Sequence, residues 1–463
     1  MCTKGGDRLI DIAVIDTPSL GDRSYLATDG AVAIVVDPQR DIDRVLAVAE
    51  SRGVRITHVF ETHLHNDYVT GGFALARAVG AAYYVSAADQ VSFDRIGVTD
   101  GDQIEVGDMR VLVIATPGHT FNHVSYAVEH AERVVAVFTG GSLLNGSTGR
   151  TDLLGPEHSV ELARAQHGSA RRLAADLPAD AMVCPTHGFG SFCSATPTSG
   201  TASTIGMELT ANPALTLDED DYVESTLAAL DVYPAYYAHM APANASGPLA
   251  PDLAAPQPAD SSELRRRVDA GEWVVDLRSR VAFAGGHLRG TLQFELGDNM
   301  ATYLGWLIPW GTPLTLLGET PADVAAAQRH LVRIGIDQVQ SAATGTPDQW
   351  AGGQPLSRYP VTDFAGYARS RHQARHVLLD VRRDSEWEAA RIDGAVHIPL
   401  HELPRRITEV PGGEIWVHCH AGYRASVAAS MLDAAGRSVV LIDDDFPVAQ
   451  EIGLASAGAV PAY

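Results

Sequence analysis

The chain has 463 residues, too many for one ordinary hydrophobic core, so two or three domains are expected. It carries 34 lysines and arginines against 57 acidic residues, a formal charge of −23, which repels nucleic acid and anionic membrane surfaces and leaves small molecules as the natural partners. No apolar run approaches a membrane span, the opening MCTKGGDRLID has no signal-peptide core, and the four cysteines, Cys2, Cys184, Cys193 and Cys419, are too scattered for a zinc cluster or a disulfide framework. These features read as a cytoplasmic chain whose cysteines act as reduced thiols.

From Ala13 to about His187, β-rich runs such as AVAIVVDP, THVFETH, MRVLVIATPGHT and AMVCPTHG alternate with helical patterns such as HSVELARAQHGSARRLAADL, a layered α/β pattern. Several strands end in polar loops rich in His or Asp, where α/β proteins gather functional groups. The segment ANASGPLAPDLAAPQPADSS has no apolar period and reads as a linker. Beyond it the chain repeats itself: VVDLRSRVAFAGGHLRG near Asp276 is echoed by LLDVRRDSEWEAARIDGAVHIPL near Asp380. The expected boundaries are 1–245 for the first domain, 246–262 for the linker, 263–352 for the first copy and 360–463 for the second.

Residues 62–72, THLHNDYVTGG, place His63, His65 and Asp67 at alternate positions, which converge only on a tight loop anchored by the strand ITHVFE. His119 in TPGHT and His187 in CPTHG follow, each after an apolar strand. Any one of these alone reads as a hydrogen-bonded structural histidine. Three such strand-end loops in succession point to a metal, which imidazole ligands alone do not name.

The order THLHND, PGHT, FTGG, GRTD and PTHG resembles the metallo-β-lactamase superfamily, and the pairing of GRTDLLG with THLHNDYVTGG is similar to its persulfide dioxygenase branch. The resemblance covers about residues 10–245 and implies an αββα sandwich with a mononuclear Fe(II) held by His63, His119 and an aspartate. It also implies that Arg150 reaches a thiol substrate. Two positions depart from the pattern: the aspartate falls at Gly141, and the histidine after Asp67 is Tyr68. Tyr68 argues against a two-metal hydrolase. Gly141 leaves the face to be completed by water, a substrate anion or a carboxylate such as Asp67 or Asp152. Weakly held Fe(II) is therefore expected, with Zn as the alternative, and Gly141→Asp is expected to tighten it; His65, Asp67 and His187 are further ligand candidates.

Near the C-terminus, EIWVHCHAGYRASVAASML reads as a strand, a loop from Cys419 to Arg424 and a helix. A cysteine placed there has backbone N–H groups and a helix N-terminus facing its sulfur, an arrangement that stabilises a thiolate and would cradle a persulfide. With DVRRDSEWEAARIDGAVHIPL before it, the loop resembles the rhodanese family, which implies that Cys419 is the nucleophile, Arg424 closes the loop, His420, Gly422 and Tyr423 line the substrate, and Asp380, Arg382 and Glu386 are scaffold positions. Four residues between cysteine and arginine favour sulfur over phosphorus, since the related phosphatases have one more. The first copy, with PLTLLGETPADVAAAQ in place of the loop, has neither cysteine nor arginine and is a degenerate rhodanese-like module suited to spacing or substrate positioning.

The whole reads as a metallo-β-lactamase sandwich followed by two rhodanese-like α/β modules with parallel sheets. The resemblances imply an enzyme of sulfide detoxification: a thiol persulfide is oxidised to sulfite at iron, and a Cys419 persulfide gives sulfur to sulfite, making thiosulfate, or Cys419 delivers persulfide to the metal. The carrier is left open among glutathione, mycothiol, bacillithiol and coenzyme A, and a homo-oligomer is compatible with the reading. Two alternatives share these folds: a thioester hydrolase like the hydroxyacylglutathione hydrolases, and a persulfide carrier or sensor with a degenerate metal site.

Overall fold

The computed structural model describes residues 10–371 and 376–457, and in it the chain forms two compact units. One runs through Asp252 and takes in Val332–Gly335; the other comprises Leu253–Leu331 and the chain from Ile336 onward. Cys2 lies outside the described residues.

The first unit is an αββα sandwich. Two six-stranded sheets, each laid out in chain order, run from Asp11–Thr17 to Ile96–Val98 and from Gln103–Val106 to Ser203–Thr204. In the strand Val32–Val36, Ile34 and Val36 enter the core between the sheets, while Ala33 and Val35 join the outer core that the helices Asp43–Arg52 and Gly72–Val79 cover. A near-continuous apolar run is what a strand buried on both faces requires. In Arg133–Gly140, Ala136 and Phe138 face the central core and Val137 the outer one beneath the helix Ser159–Asp176.

This layout positions the polar loops. Val32–Val36 runs parallel to Arg55–Phe60, and Arg133–Gly140 parallel to Met182–Pro185, so the carboxyl ends within each pair emerge together and release Asp37 and His63 in one sheet, Gly141 and His187 in the other.

The second unit holds two modules with the same parallel strand order. The first is Gln257–Pro258, Val339–Thr344, Leu314–Gly318, Trp273–Asp276, Leu292–Gln293; the second is Val361–Thr362, Val439–Ile442, Glu414–His418, His376–Asp380, Val396–His397. The sequence repeat is thus a structural one, down to a buried Arg278–Asp276 pair matched by Arg382–Asp380, each with a 2.6 Å contact. The expected linker, 246–262, is too long: Gln257–Pro258 pairs with Val339–Thr344, and Asp260 caps the helix Ser261–Asp269. A two-residue edge strand has no apolar period to announce it, and an edge tolerates proline. Among the described residues, no helix is long and apolar enough to cross a membrane.

Phe138 is fully buried between the sheets, its ring 5.3 Å from that of Tyr25. Phe138→Ala is expected to cost about 3–5 kcal/mol, read as a lower denaturation midpoint by circular dichroism; a loss under about 1 kcal/mol would mean that this core closes around the gap.

Candidate metal centre and thiolate loop

The strand-end loops of the first unit bring His63, His119 and His187 together, with one ligand atom from each within 4.8 Å of the others, all three buried. His65 and Asp67 share a second such cluster with His187, and His65 a third with Asp37 and Glu61. Burial, and then His187, push His119 down to about 3, and burial with the neighbouring imidazoles holds His63 well below the usual range, so both rings are neutral as a metal requires. His187 goes the other way: burial opposes its charge, but Asp67 and Asp22 push it well above the ordinary value. Burial and Asp67 raise Asp22 to about 8, while Asp67, despite burial, is held low by His187.

His65 is committed elsewhere. Its Nε2 lies 3.3 Å from Asp37 and 3.2 Å from Glu61, and 3.0 Å from the Tyr68 hydroxyl. Burial works against its charge, yet the two carboxylates raise it to about 9. Tyr68 is itself fully buried and fills the position where the superfamily pattern has another histidine.

The residues fit a metal. Buried polar atoms rarely lack partners, yet among the described residues His119 Nε2, His65 Nδ1 and Asp67 Oδ1 have no hydrogen-bond partner. The fit differs from the expectation at two positions. Asp152 is held by Arg150 through Nε and Nη2, each at 2.7 Å, which removes it as a completing ligand. A Cβ on Gly141 would overlap the His119 ring, with Cγ only 2.6 Å away, so an aspartate there would displace a ligand rather than add one. Arg150 also donates to the Phe192 and Asp231 carbonyls and lies over the Tyr233 ring, so its guanidinium is engaged by protein rather than presented to a thiol substrate.

Four residues escaped the sequence reading. Asp37 ends the run AVAIVVDP and was reachable by the rule that singled out the histidines; Thr62 binds it. His123, four residues beyond His119, accepts from the Gly141 N–H at 3.0 Å and is a loop brace. Asp22 opens the strand Asp22–Thr28 from a turn, with no local signal.

In the second unit, Cys419 sits between the strand Glu414–His418 and the helix Tyr423–Ala434, 2 % exposed. Gly422, at φ 82°, must be glycine: a Cβ would strike Asp443, which pairs with Arg280 at 2.6 Å. Arg424 donates to both oxygens of Glu386, at 2.5 and 2.7 Å, and although burial alone would raise Glu386, these bonds pull it down to about 2. His420 points outward and the Tyr423 hydroxyl donates to the Glu295 carbonyl at 3.3 Å, so of the expected lining residues it is Gly422 whose role the loop geometry explains. A narrow cleft beside Arg424 is lined by Tyr303, Trp306, Leu400 and His401.

Residues 23–187 match the metallo-beta-lactamase superfamily and residues 365–450 the rhodanese-like domain family. The human mitochondrial persulfide dioxygenase ETHE1 is 29 % identical over 208 residues, 44 % of this chain and 73 % of that protein. A hydroxyacylglutathione hydrolase of Cereibacter sphaeroides is 30 % identical over 186 residues, 39 % of this chain and 68 % of that one. Among solved structures, a metallo-beta-lactamase from Staphylococcus aureus subsp. aureus COL superposes with a TM-score of 0.65 at 26 % identity, covering 73 % of this chain and 99 % of that one.

Because its folded value lies below its ordinary 4.5, Glu386 contributes stability that is present above 4.5 and lost as pH falls through about 2. The stability gap between wild type and Glu386→Gln should therefore be widest near neutrality and close as pH drops across that window, followed by denaturant titration at several pH values. A gap that does not change with pH would mean that the Arg424 pair does not hold the loop.

Proposed function

Since the chain belongs to the metallo-β-lactamase superfamily and carries a C-terminal rhodanese-like domain, we propose that it oxidises the persulfide of a low-molecular-weight thiol to sulfite at a mononuclear iron site and moves sulfane sulfur through Cys419, forming thiosulfate. The observation that carries this is the presence in one chain of a buried histidine cluster able to hold a metal and of a Cys419–Arg424 loop that resembles that of the sulfurtransferases. The overall change balances: persulfide, dioxygen and water give thiol and sulfurous acid; the Cys419 thiolate takes the outer sulfur of a second persulfide, releasing its thiol, and then loses that sulfur to sulfite, which leaves the Cys419 thiolate and thiosulfate.

The metal supplies Lewis acidity and a seat for dioxygen when bound. His63 and His119 would hold it as neutral donors, and a persulfide anion would supply negative charge that these two ligands lack. The buried loops exclude bulk water, which protects a persulfide from side reactions. In the second unit Cys419 lies just before the N-terminus of Tyr423–Ala434, where helix N–H groups would stabilise a thiolate, and Glu386 fixes the fork of Arg424. The partners of the reading are small-molecule thiol persulfides, sulfite and thiosulfate, in the cytoplasm, where Cys184, Cys193 and Cys419 stand as free thiols.

Identity to the hydroxyacylglutathione hydrolases makes thioester hydrolysis the rival reading. It needs two metals, and Tyr68 together with the engaged His65 removes donors for the second.

Fe(II)-loaded protein is expected to consume oxygen with glutathione persulfide, and His63→Ala to abolish the uptake. Cys419→Ser should keep the uptake and lose sulfur transfer from thiosulfate to cyanide, and Arg424→Lys should weaken that transfer sharply, because an ammonium cannot reproduce the planar fork. A flat oxygen trace with several thiol persulfides, alongside turnover of S-lactoylglutathione, would replace the dioxygenase reading with the hydrolase.

A further inference from the structure

The cleft beside Arg424 takes its walls from both modules of the second unit. Tyr303 and Trp306, on the helix Met300–Leu307 of the copy that lacks a cysteine, line it together with Arg383, Leu400, His401 and Arg424 of the copy that carries Cys419. Ring contacts hold that wall: Tyr303 lies 6.1 Å from Trp306 and 5.6 Å from Tyr423, and Trp306 stacks on His401 at 5.2 Å. The cleft has a volume of about 10 Å³, room for roughly one water-sized group and not for glutathione or another thiol carrier. Rings and aliphatic carbon make up most of its lining, and sulfur packs favourably against aromatic carbon. The Tyr423 hydroxyl is taken by the Glu295 carbonyl, but the Tyr303 hydroxyl has no hydrogen-bond partner among the described residues. Burial raises the Tyr303 phenol above its ordinary value, the charges of Arg424 and Arg383 oppose that rise, and Cys419 adds to it. The phenol therefore keeps its proton near neutrality, within reach of the charges on Arg424 and Cys419, and has a hydrogen bond to give.

We propose that the Tyr303 hydroxyl donates to the outer sulfur of a Cys419 persulfide, so that the copy without a cysteine completes the seat of the transferred sulfur. This rests on the sulfurtransferase reading of Cys419 above and adds to it a residue from outside the loop. Cys419 itself is 2 % exposed and does not line the cleft, whereas an added sulfur stands about 2.0 Å beyond Sγ. The hydroxyl thus acts on the persulfide rather than on the bare thiolate. Arg424 cannot do the same, because both arms of its fork are spent on Glu386. Loading from thiosulfate balances in atoms and charge: the Cys419 thiolate attacks the outer sulfur, the S–S bond of thiosulfate breaks, and sulfite leaves with the electron pair. The reverse is the thiosulfate-forming step. A donor on the outer sulfur stabilises the persulfide side of this exchange alone, and so keeps sulfur on Cys419 until sulfite arrives.

That exchange can be read at equilibrium. The full chain is held without oxygen in thiosulfate and sulfite at several ratios and quenched in acid, and intact-mass spectrometry gives the fraction that has gained one sulfur, with Cys419→Ser as the blank. Tyr303→Phe keeps the ring and removes the hydroxyl, and since that hydroxyl has no partner in the unloaded loop, the fold loses no bond. The loading constant of Tyr303→Phe should fall roughly 10–100-fold, the worth of a hydrogen bond to a charged group. The rate at which iodoacetamide alkylates unloaded Cys419 should stay as in wild type, because the thiolate and its loop are untouched. Equal loading of wild type and a folded Tyr303→Phe, or a fall in loading matched by the same fall in alkylation, would overturn the proposal and leave the sulfurtransferase reading standing. A wild type that gains no sulfur over Cys419→Ser would overturn that reading and the role of Tyr303 with it.

Discussion

The metal centre depends on one buried carboxylate. Asp37 is fully buried at φ 50°, a conformation that costs a non-glycine residue about 1–3 kcal/mol, and its oxygens accept from the Thr62 N–H and hydroxyl, both at 2.7 Å, and from the Thr186 hydroxyl. Burial would raise it, but His65 and these donors hold it below the ordinary carboxylate range. Through Thr62 it sets the tautomer of His63, through Thr186 it ties down the loop of His187, and directly it draws His65 away from the cluster. A buried charge is tolerated only when its partners are complete, so the same bonds that stabilise Asp37 make the loops rigid. Rigid loops are what a weak, carboxylate-poor donor set needs, because its ligands cannot rely on charge to collect a metal.

Much of this was legible in the sequence for a physical reason. Alternating and continuous apolar runs announce strands buried on one face or two, and Val32–Val36 and Arg133–Gly140 do so here; strand-end His and Asp then mark the loops. The repeat around Asp276 and Asp380 was visible because the buried Arg–Asp pair constrains both copies alike. What the sequence could not show was direction. His65 and His187 are equivalent as letters, yet one ring turns to Asp37 and Glu61 and the other toward His63. Asp22 is too distant in sequence from His187 to be paired with it by pattern, and Gly141 read as a lost ligand rather than as the space that His119 requires.

The degenerate module has a concrete role in the second unit. Its Gln293 accepts from Ser426 at 2.7 Å, and its backbone N–H donates to Ser430 at 3.0 Å, on the helix that opens at the Cys419 loop. His287 meets Asp433 of the same helix at 3.1 Å, and Arg280 reaches Asp443 across Gly422. A helix end that must present N–H groups to a sulfur atom works only if the helix does not shift, and these buried contacts hold it. The copy that lost its own cysteine thus braces the loop of the copy that kept it.

The central claim is that persulfide sulfur is oxidised by dioxygen in this chain and then passed on as thiosulfate. The direct measurement is oxygen uptake by Fe(II)-loaded protein with glutathione persulfide, read beside the sulfite and thiosulfate formed in the same samples. The account predicts one dioxygen consumed for each sulfur that reaches sulfite or the oxidised end of thiosulfate. Sulfur oxyanions formed without matching oxygen uptake, or persulfide left unoxidised beside an intact metal centre, would contradict it.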